Sequence, residues 1–416
     1  MTVLEFFDKN PLENLVTALT LRPDRIIFFG SAELMQQQRE ACMTLLKQKK
    51  INTEVIWQRV DCENLPLLIE VLTRTVESEP ACIIDVTGGE DLVLVAAGAV
   101  YQKLNSTHNL QLQRFDLASG RFFDCDGDEK VLNSELPHLT VSENVALRGG
   151  IVRYQSSEGS GTEPWELTAE LKKAVDCLWR ISCRDPSQWN SAISVLRGQE
   201  KRPDRNKSLQ VTVNLARLKK AVERTDAGYC YLYALLHELR DNGLFLDFIE
   251  TEDKISYRYR DAQLFRLLAK AGNVQELKIL LLAVGMKNED GSPWCTDAVN
   301  GVYIDWDGAL HSRYEPEKDT ENEIDVLLMR GIFPVFISCK NGIVKEEELY
   351  KLGTVADRFG GKYARRILTA TYLGKSDSSN AYLRQRAADM YITLIENIHR
   401  LSDAEIEAHL RDACAR

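Results

Sequence analysis

The sequence predicts an α/β protein of three parts, and three observations carry that expectation. In residues 1–155 short apolar strands alternate with helix-like stretches, a pattern that implies a mostly parallel sheet with helices on both faces. A Ser/Gly-rich stretch, SSEGSGTEP (156–164), reads as a linker. The C-terminal part, 261–416, holds two apolar runs, VLLM and PVFI, separated by Arg330-Gly331-Ile332-Phe333, and reads as a hairpin in a second α/β unit. At 416 residues the chain has room for two or three domains of roughly 100–200 residues each. The expected division is 1–155, 165–260 and 261–416.

RIIFFG (25–30) is a short buried strand, followed by the helical ELMQQQREACMTLLKQKK. NTEVIWQRV is a second strand and LPLLIEVLTRTVES a second helix. ACIIDVTGG supplies a third strand with its turn, and EDLVLVAAGAVYQKL a third helix. LQLQRFDLASGRFFDCDGDEKVL reads as a hairpin, with Gly120 and Gly127 as turn residues. Thr140 and Glu143 have the spacing of a capping box and open one more helix. Residues 165–260 are largely helical with one hairpin, LFLDFIETEDKISYRYR, a winged-helix-like arrangement. The last part predicts a helix at 264–285, strands at 301–307 and 324–340, and helices at 344–359 and 381–398.

Composition narrows the function classes. Hydrophobic residues are 44% and charged residues 27%, an ordinary globular balance. No apolar run approaches the roughly 20 residues of a membrane span, and the N-terminus lacks the pattern of a signal peptide. Ten cysteines without a CxxC pair predict reduced thiols in a cytoplasm, and scattered histidines argue against structural zinc. The net charge of −10 argues against a nucleic-acid partner, yet it averages over the chain. Arg197 to Arg224 holds nine Lys/Arg against three acids, and Arg358 to Arg386 seven against one. Such clusters suit phosphate-backbone contacts, or are simply solvated helix faces.

With a turn centred on Gly331-Ile332, Asp325 falls opposite Ser338 and Glu323 opposite Lys340. Side chains alternate along a strand, so these four project from one face, and Ile324, Val326, Ile337 and Cys339 from the other. A carboxylate beside a lysine can hold a hard divalent ion, Mg²⁺ or Mn²⁺, while the ammonium stabilises an oxyanion or orients water. Asp325 would be the main ligand and the Cys339 carbonyl a second. Taken alone, such a pair at the end of a hairpin is more often a surface salt bridge.

Near the N-terminus, Thr87, Gly88 and Gly89 sit between a strand and a helix, with Glu90 following. Glycines let backbone approach a ligand, and a helix start favours phosphate. Gly30, Ser31 and Ala32 would lie at the same carboxyl edge of the sheet, where open α/β sheets bind ligands. Neither GxGxxG nor GxxxxGK[ST] occurs. A tight connection that merely needs glycine is the competing reading.

EIDVLL…VFISCK resembles the D…(D/E)xK pattern of the PD-(D/E)xK nuclease superfamily, whose restriction-endonuclease-like fold it implies for 261–416. The resemblance implies an acid on the preceding helix GNVQELKILLLA, which would be Glu276. One departure is plain: Ser338 stands where the family has Asp or Glu, so Glu323, Glu276 or one of Glu346, Glu347 and Glu348 would supply the missing charge. The strand–Gly30-Ser31 loop, DVTGG with its helix, and LTVSENVAL together resemble the Rossmann-like CARF domain. The two units in one chain are similar to the cyclic-oligoadenylate-activated nucleases of type III CRISPR systems. That resemblance implies a homodimer that binds cyclic tetra-adenylate at Gly30, Ser31, Ala32, Thr87, Gly88, Gly89 and Glu90. It implies cutting of DNA and/or RNA with Mn²⁺ or Mg²⁺. A receptor with a degenerate nuclease domain is the alternative; an enzyme that degrades the ring itself finds no acid–base pair in the N-terminal loops.

Overall fold

The structure is a computed structural model, and it describes residues 1–116, 121–125, 137–156, 163–200, 208–223, 225, 228–308 and 321–415. The first part contains β1 (Thr2–Phe6), α1 (Val16–Leu21), β2 (Arg25–Gly30), α2 (Ala32–Gln48), β3 (Glu54–Arg59), α3 (Leu65–Ser78), β4 (Cys82–Asp85), α4 (Asp91–Leu104), β5 (Leu110–Asp116), β6 (Arg121–Asp124), α5 (Val141–Leu147) and β7 (Ile151–Arg153). Its sheet runs β3-β2-β1-β4-β5-β6, parallel throughout except for the β5–β6 hairpin. The expected turn residues Gly120 and Gly127 lie outside the described residues.

The central strand is β1, absent from the sequence reading, which began at RIIFFG. All five of its residues are buried, because β2 and β4 flank it and helices cover both faces. The Thr140–Glu143 capping box forms as expected and opens α5. β7 then pairs with a strand more than 140 residues further on, so the chain joins the second sheet at Ile151–Arg153, ahead of the Ser/Gly-rich stretch.

The middle part comprises α6 (Ala169–Arg184), α7 (Pro186–Gln199), β8 (Gln210–Asn214), α8 (Leu215–Val222), α9 (Tyr229–Asp241), β9 (Phe245–Glu250), β10 (Lys254–Tyr259) and α10 (Ala262–Leu267). The expected hairpin is β9–β10, and β8 adds an unexpected third strand in the order β8-β10-β9. Trp189, Phe245, Tyr257 and Tyr259 fill its core, which continues without a break onto one face of the next sheet.

The last part holds α11 (Asn273–Gly285), β11 (Asp297–Asp305), β12 (Glu321–Arg330), β13 (Phe333–Ile343), α12 (Glu346–Gly360), a 3-10 turn (Gly361–Tyr363), β14 (Arg365–Tyr372), α13 (Asp377–Asp389), β15 (Ile392–Ile395), a second 3-10 turn (Ile398–Arg400) and α14 (Asp403–Ala415). Its sheet runs β15-β14-β13-β12-β11-β7, parallel from β13 to β15 and antiparallel elsewhere. The helix expected at 264–285 is two helices, broken before Gly272. The helix expected at 381–398 ends at Asp389, where Tyr391 adopts φ 55° and the short apolar β15 follows. Helices α1, α2, α5 and α12 share one core with the facing sides of both six-stranded sheets. No helix among the described residues is long and apolar enough to cross a membrane, and all ten cysteines are free thiols.

Candidate functional site

The β12–β13 register is the expected one, Arg330 opposite Phe333 through Val326 opposite Ile337. The ladder stops there, and the Asp325 carboxylate takes its place. Asp325 Oδ2 accepts the Cys339 N–H at 2.7 Å and the Ser338 hydroxyl at 3.1 Å. The Lys340 ammonium lies 3.7 Å from the same oxygen and 2.8 Å from Glu348 Oε2 at the start of α12. Glu323, Asp325, Ser338, Lys340 and Glu348 line a cavity of about 340 Å³. Glu323 and Lys340 are not paired with each other: Glu323 faces Tyr303 across β11 and approaches Lys270 at 3.7 Å.

One expectation about the faces fails. Val326 packs in the core under α11, as do Ile337 and Cys339, whereas Ile324 packs in the core shared with α12. Alternation breaks at Asp325 because Gly301, opposite it on β11, adopts φ 61°. The β11–β12 pairing passes from Asn300–Val326 to Val302–Ile324 without a 301–325 pair. Glycine tolerates that left-handed conformation, and the kink turns the strand over.

Burial raises the Asp325 pKa, outweighing Lys340, the Cys339 N–H and the Ser338 hydroxyl, which all favour the carboxylate. Burial opposes the charge on Lys340, but Asp325 and Glu348 outweigh it and raise its pKa. For Glu348 the effect of burial is outweighed by Lys340, which holds the carboxyl below its usual range.

Glu276 is carried on α11 and does not line that cavity; it approaches Asp325 from the other face of the sheet through Asn300. The Asn300 Nδ2 donates to the Asp325 carbonyl at 3.0 Å and, at 3.4 Å, to Glu276 Oε2. Burial first, then Asp325 and Glu323, push Glu276 up to about 8. Asn300 Oδ1 is buried without a hydrogen-bond partner. The Cys339 carbonyl also faces β12, since a strand residue points its N–H and C=O to the same side. Two carboxylates, an orphaned amide oxygen and a carbonyl lie on neighbouring elements here, oxygen donors of the kind a hard cation takes. Among the described residues no group of three or more His, Cys, Asp or Glu side chains gathers as a metal cluster. Sequence reasoning missed Asn300, which no local pattern marks, and had Glu348 only as one of three neighbouring acids.

At the other sheet, the loops after β2 and β4 share the carboxyl edge, as expected. Ser31 caps α2 by accepting the Leu34 N–H, Ala32 begins that helix, and Glu90 is the N-cap of α4. The Thr87 hydroxyl accepts the Phe115 N–H at 2.7 Å, and the Thr87 N–H donates to buried Asp85 at 2.8 Å. The loop after β1, unnoticed in the sequence, lies against these glycines. A β-carbon on Gly30 would sit 2.7 Å from Phe7 Cβ, and one on Gly89, at φ 121°, 2.7 Å from Phe6 Cβ. On Gly88 it would lie 3.2 Å from Glu13 Cβ and 3.3 Å from Asn14 Oδ1. The glycines therefore have a packing reason as well as any ligand reason.

Ion pairs occupy part of the basic clusters. In the second, Lys362 pairs with Glu13, Arg366 with Asp357, Arg384 with Glu396 and Arg386 with Glu346. Residues 201–207 and 224 of the first lie outside the described residues.

No family model and no curated protein matches the sequence. Solved structures do. The protein VC1899 from Vibrio cholerae superposes with a TM-score of 0.71 at 16% identity, covering 100% of this chain and 99% of its own. Can2 from Sulfobacillus thermosulfidooxidans, solved in complex with cyclic tetra-adenylate, superposes with a TM-score of 0.64 at 14% identity, covering 100% and 97%. At these identities the likeness is one of fold: a shared α/β architecture along the whole chain.

Proposed function

We propose that the protein is a cyclic-oligoadenylate-activated, metal-dependent nuclease acting on DNA and/or RNA in type III CRISPR defence in the cytoplasm. The observation that carries this reading is the Lys340 ammonium beside the Asp325 carboxylate in an open cavity at the splayed end of β12–β13. The full-length fold likeness to a protein solved with cyclic tetra-adenylate supports the gating half. In this reading Asp325, Glu276, the Cys339 carbonyl and Asn300 Oδ1 hold Mg²⁺ or Mn²⁺. The ion, when bound, supplies Lewis-acid stabilisation and a nucleophile at neutral pH. Lys340 stabilises the charge that develops on the phosphate. Ser338 occupies the acid position as a hydrogen-bond donor that orients Asp325, and Glu323 with Glu348 completes the acidic lining.

The ring, most simply cyclic tetra-adenylate, binds at Gly30, Ser31, Ala32, Thr87, Gly88, Gly89 and Glu90, across the two-fold axis of a homodimer. Leu67 on α3 and Leu92 and Val95 on α4 are exposed apolar side chains on this part of the molecule, which supports self-association. The ring activates only by binding the closed arrangement more tightly than the open one.

A nicking assay tests the reading. Purified protein is mixed with supercoiled plasmid and single-stranded RNA in Mn²⁺, with and without cyclic tetra-adenylate, beside Lys340→Ala. Cutting that needs ring and metal and disappears in the variant is the expected result. Tight ring binding with no cutting of either substrate would favour a receptor with a degenerate nuclease domain. Two observations keep that second reading alive: Ser338 in the acid position, and Lys340 closer to Glu348 than to Asp325.

A further inference from the structure

The loop after β1, which packs beneath the loop that the proposed function assigns to the ring, is bonded to the end of the helix whose first turn holds the proposed catalytic lysine. Glu13 follows β1, is 3% exposed, and lies directly under Gly88. Its carboxylate leaves the N-terminal sheet and crosses to the second six-stranded unit. Oε1 accepts the Tyr363 hydroxyl and pairs with the Lys362 ammonium at 2.7 Å. Both partners belong to the 3-10 turn that continues α12.

Two more groups hold the same end of that helix. The last carbonyls of a helix have no partner within it. Here Asn144 Nδ2 donates to the Phe359 carbonyl at 2.8 Å, and Arg148 Nη2 to the Gly360 carbonyl at 3.4 Å. Arg148 also reaches Asn10 Oδ1, in the loop that carries Glu13, and Asn144 Oδ1. At the opposite end of α12, in its first turn, Glu348 grips Lys340 at 2.8 Å. The helix has 15 residues, a rod of about 22 Å. The rod is thus tied at one end to the loop beneath Gly88 and at the other to the lysine.

We infer that Glu13 is a positioning residue: through Lys362, Tyr363 and α12 it sets the Glu348–Lys340 pair according to the state of the Thr87–Gly89 loop. This rests on the ring-gated nuclease reading and adds the route by which the ring acts inside one subunit. Glu13 touches neither the reacting atoms nor, on this assignment, the ring. Removing its charge leaves the ring site and the nuclease centre built but uncoupled.

The test compares wild type with Glu13→Gln and, in case that variant folds poorly, Tyr363→Phe. Three quantities are read: the Kd for cyclic tetra-adenylate, amide hydrogen exchange in residues 355–363, and plasmid cutting with and without ring. In wild type the ring alters exchange at 355–363; in Glu13→Gln it binds with Kd within about twofold but leaves that exchange unchanged. Ring-stimulated kcat falls at least about tenfold, within the range of ordinary allosteric coupling, with KM and ring-free cutting unaltered. Combined with Glu348→Gln, the Glu13 change costs nothing further, because both act on one element. Wild type that binds ring without any exchange response at 355–363 overturns the inference and spares the gated-nuclease reading. So does Glu13→Gln with undiminished stimulation, or a loss that merely follows a lower Tm. Wild type that binds no ring overturns both.

Discussion

The two six-stranded sheets both carry carboxylates withdrawn from solvent, more deeply in the first sheet than in the second, and use them differently. In the N-terminal sheet Asp85 is fully buried and accepts hydrogen bonds from Thr17, Gln113 and the Thr87 N–H, while neighbouring Glu5 is fully buried with both oxygens unpartnered. Burial raises both pKa values. In the second sheet burial likewise raises Asp325 and Glu276, but Asp325 opens into a cavity and faces a lysine. A deep, shifted carboxyl is thus no mark of chemistry by itself. An opening and a cation beside it are what distinguish the second sheet from the first.

The largest expected effect follows directly. Lys340→Ala should reduce ring-stimulated plasmid cutting by about 100-fold or more, with little change in Tm. Asp85→Asn should instead lower stability by about 1–3 kcal/mol through its lost hydrogen bonds, with ring-saturated cutting per folded molecule preserved. If Asp85→Asn silenced folded enzyme and Lys340→Ala did not, the contrast between the sheets would be reversed.

A pH series sharpens the same contrast. Glu5 has its folded pKa well above 4.5, so its protonated form favours the fold. That stability is fully present below about 4.5 and is lost as pH rises towards the folded pKa. Glu5→Gln, which stays neutral, should therefore gain about 1–3 kcal/mol over wild type at pH 8 and nothing at pH 4, read from denaturation midpoints. An equal difference at both pH values would show that Glu5 does not titrate with folding.

Two glycines compare the sheets at finer scale. Gly89→Ala meets Phe6 Cβ at 2.7 Å as well as an unfavourable φ, and should cost about 3 kcal/mol. Gly301→Ala, at φ 61° with nothing within 4 Å, should cost about 1 kcal/mol. Equal costs in urea denaturation would mean the crowding at Gly89 relaxes away. Thr87→Val, which removes the acceptor of the Phe115 N–H, should likewise cost about 1 kcal/mol.

Much of the β12–β13 hairpin was legible because its turn, Arg330-Gly331-Ile332-Phe333, fixes a register that carries Asp325 opposite Ser338. What broke the reading was Gly301, which lies on another strand and flips Ile324 by a contact that hairpin periodicity cannot contain. The N-terminal loops were placed at the right edge, yet β1 escaped, since TVLEF begins at residue 2 without a preceding turn or helix to frame it. With β1 unseen, the following loop was unseen too, and so were Glu13 and Asn14 beneath Gly88. Asn300 was invisible for a simpler reason: a lone amide acquires meaning only from the two carboxylates folding brings to it.

Strand β7 bears on how such proteins can be taken apart. Ile151–Arg153 closes the outer edge of the second six-stranded sheet, tied by the Arg153–Asp305 ion pair, although it precedes the linker in sequence. A fragment starting at the linker would leave β11 as an unprotected edge, ready to pair with copies of itself. Cutting, grafting or recombining the two units cleanly therefore means carrying residues 139–154 with the C-terminal half, and the natural unit of exchange in this molecule is longer than its linker advertises.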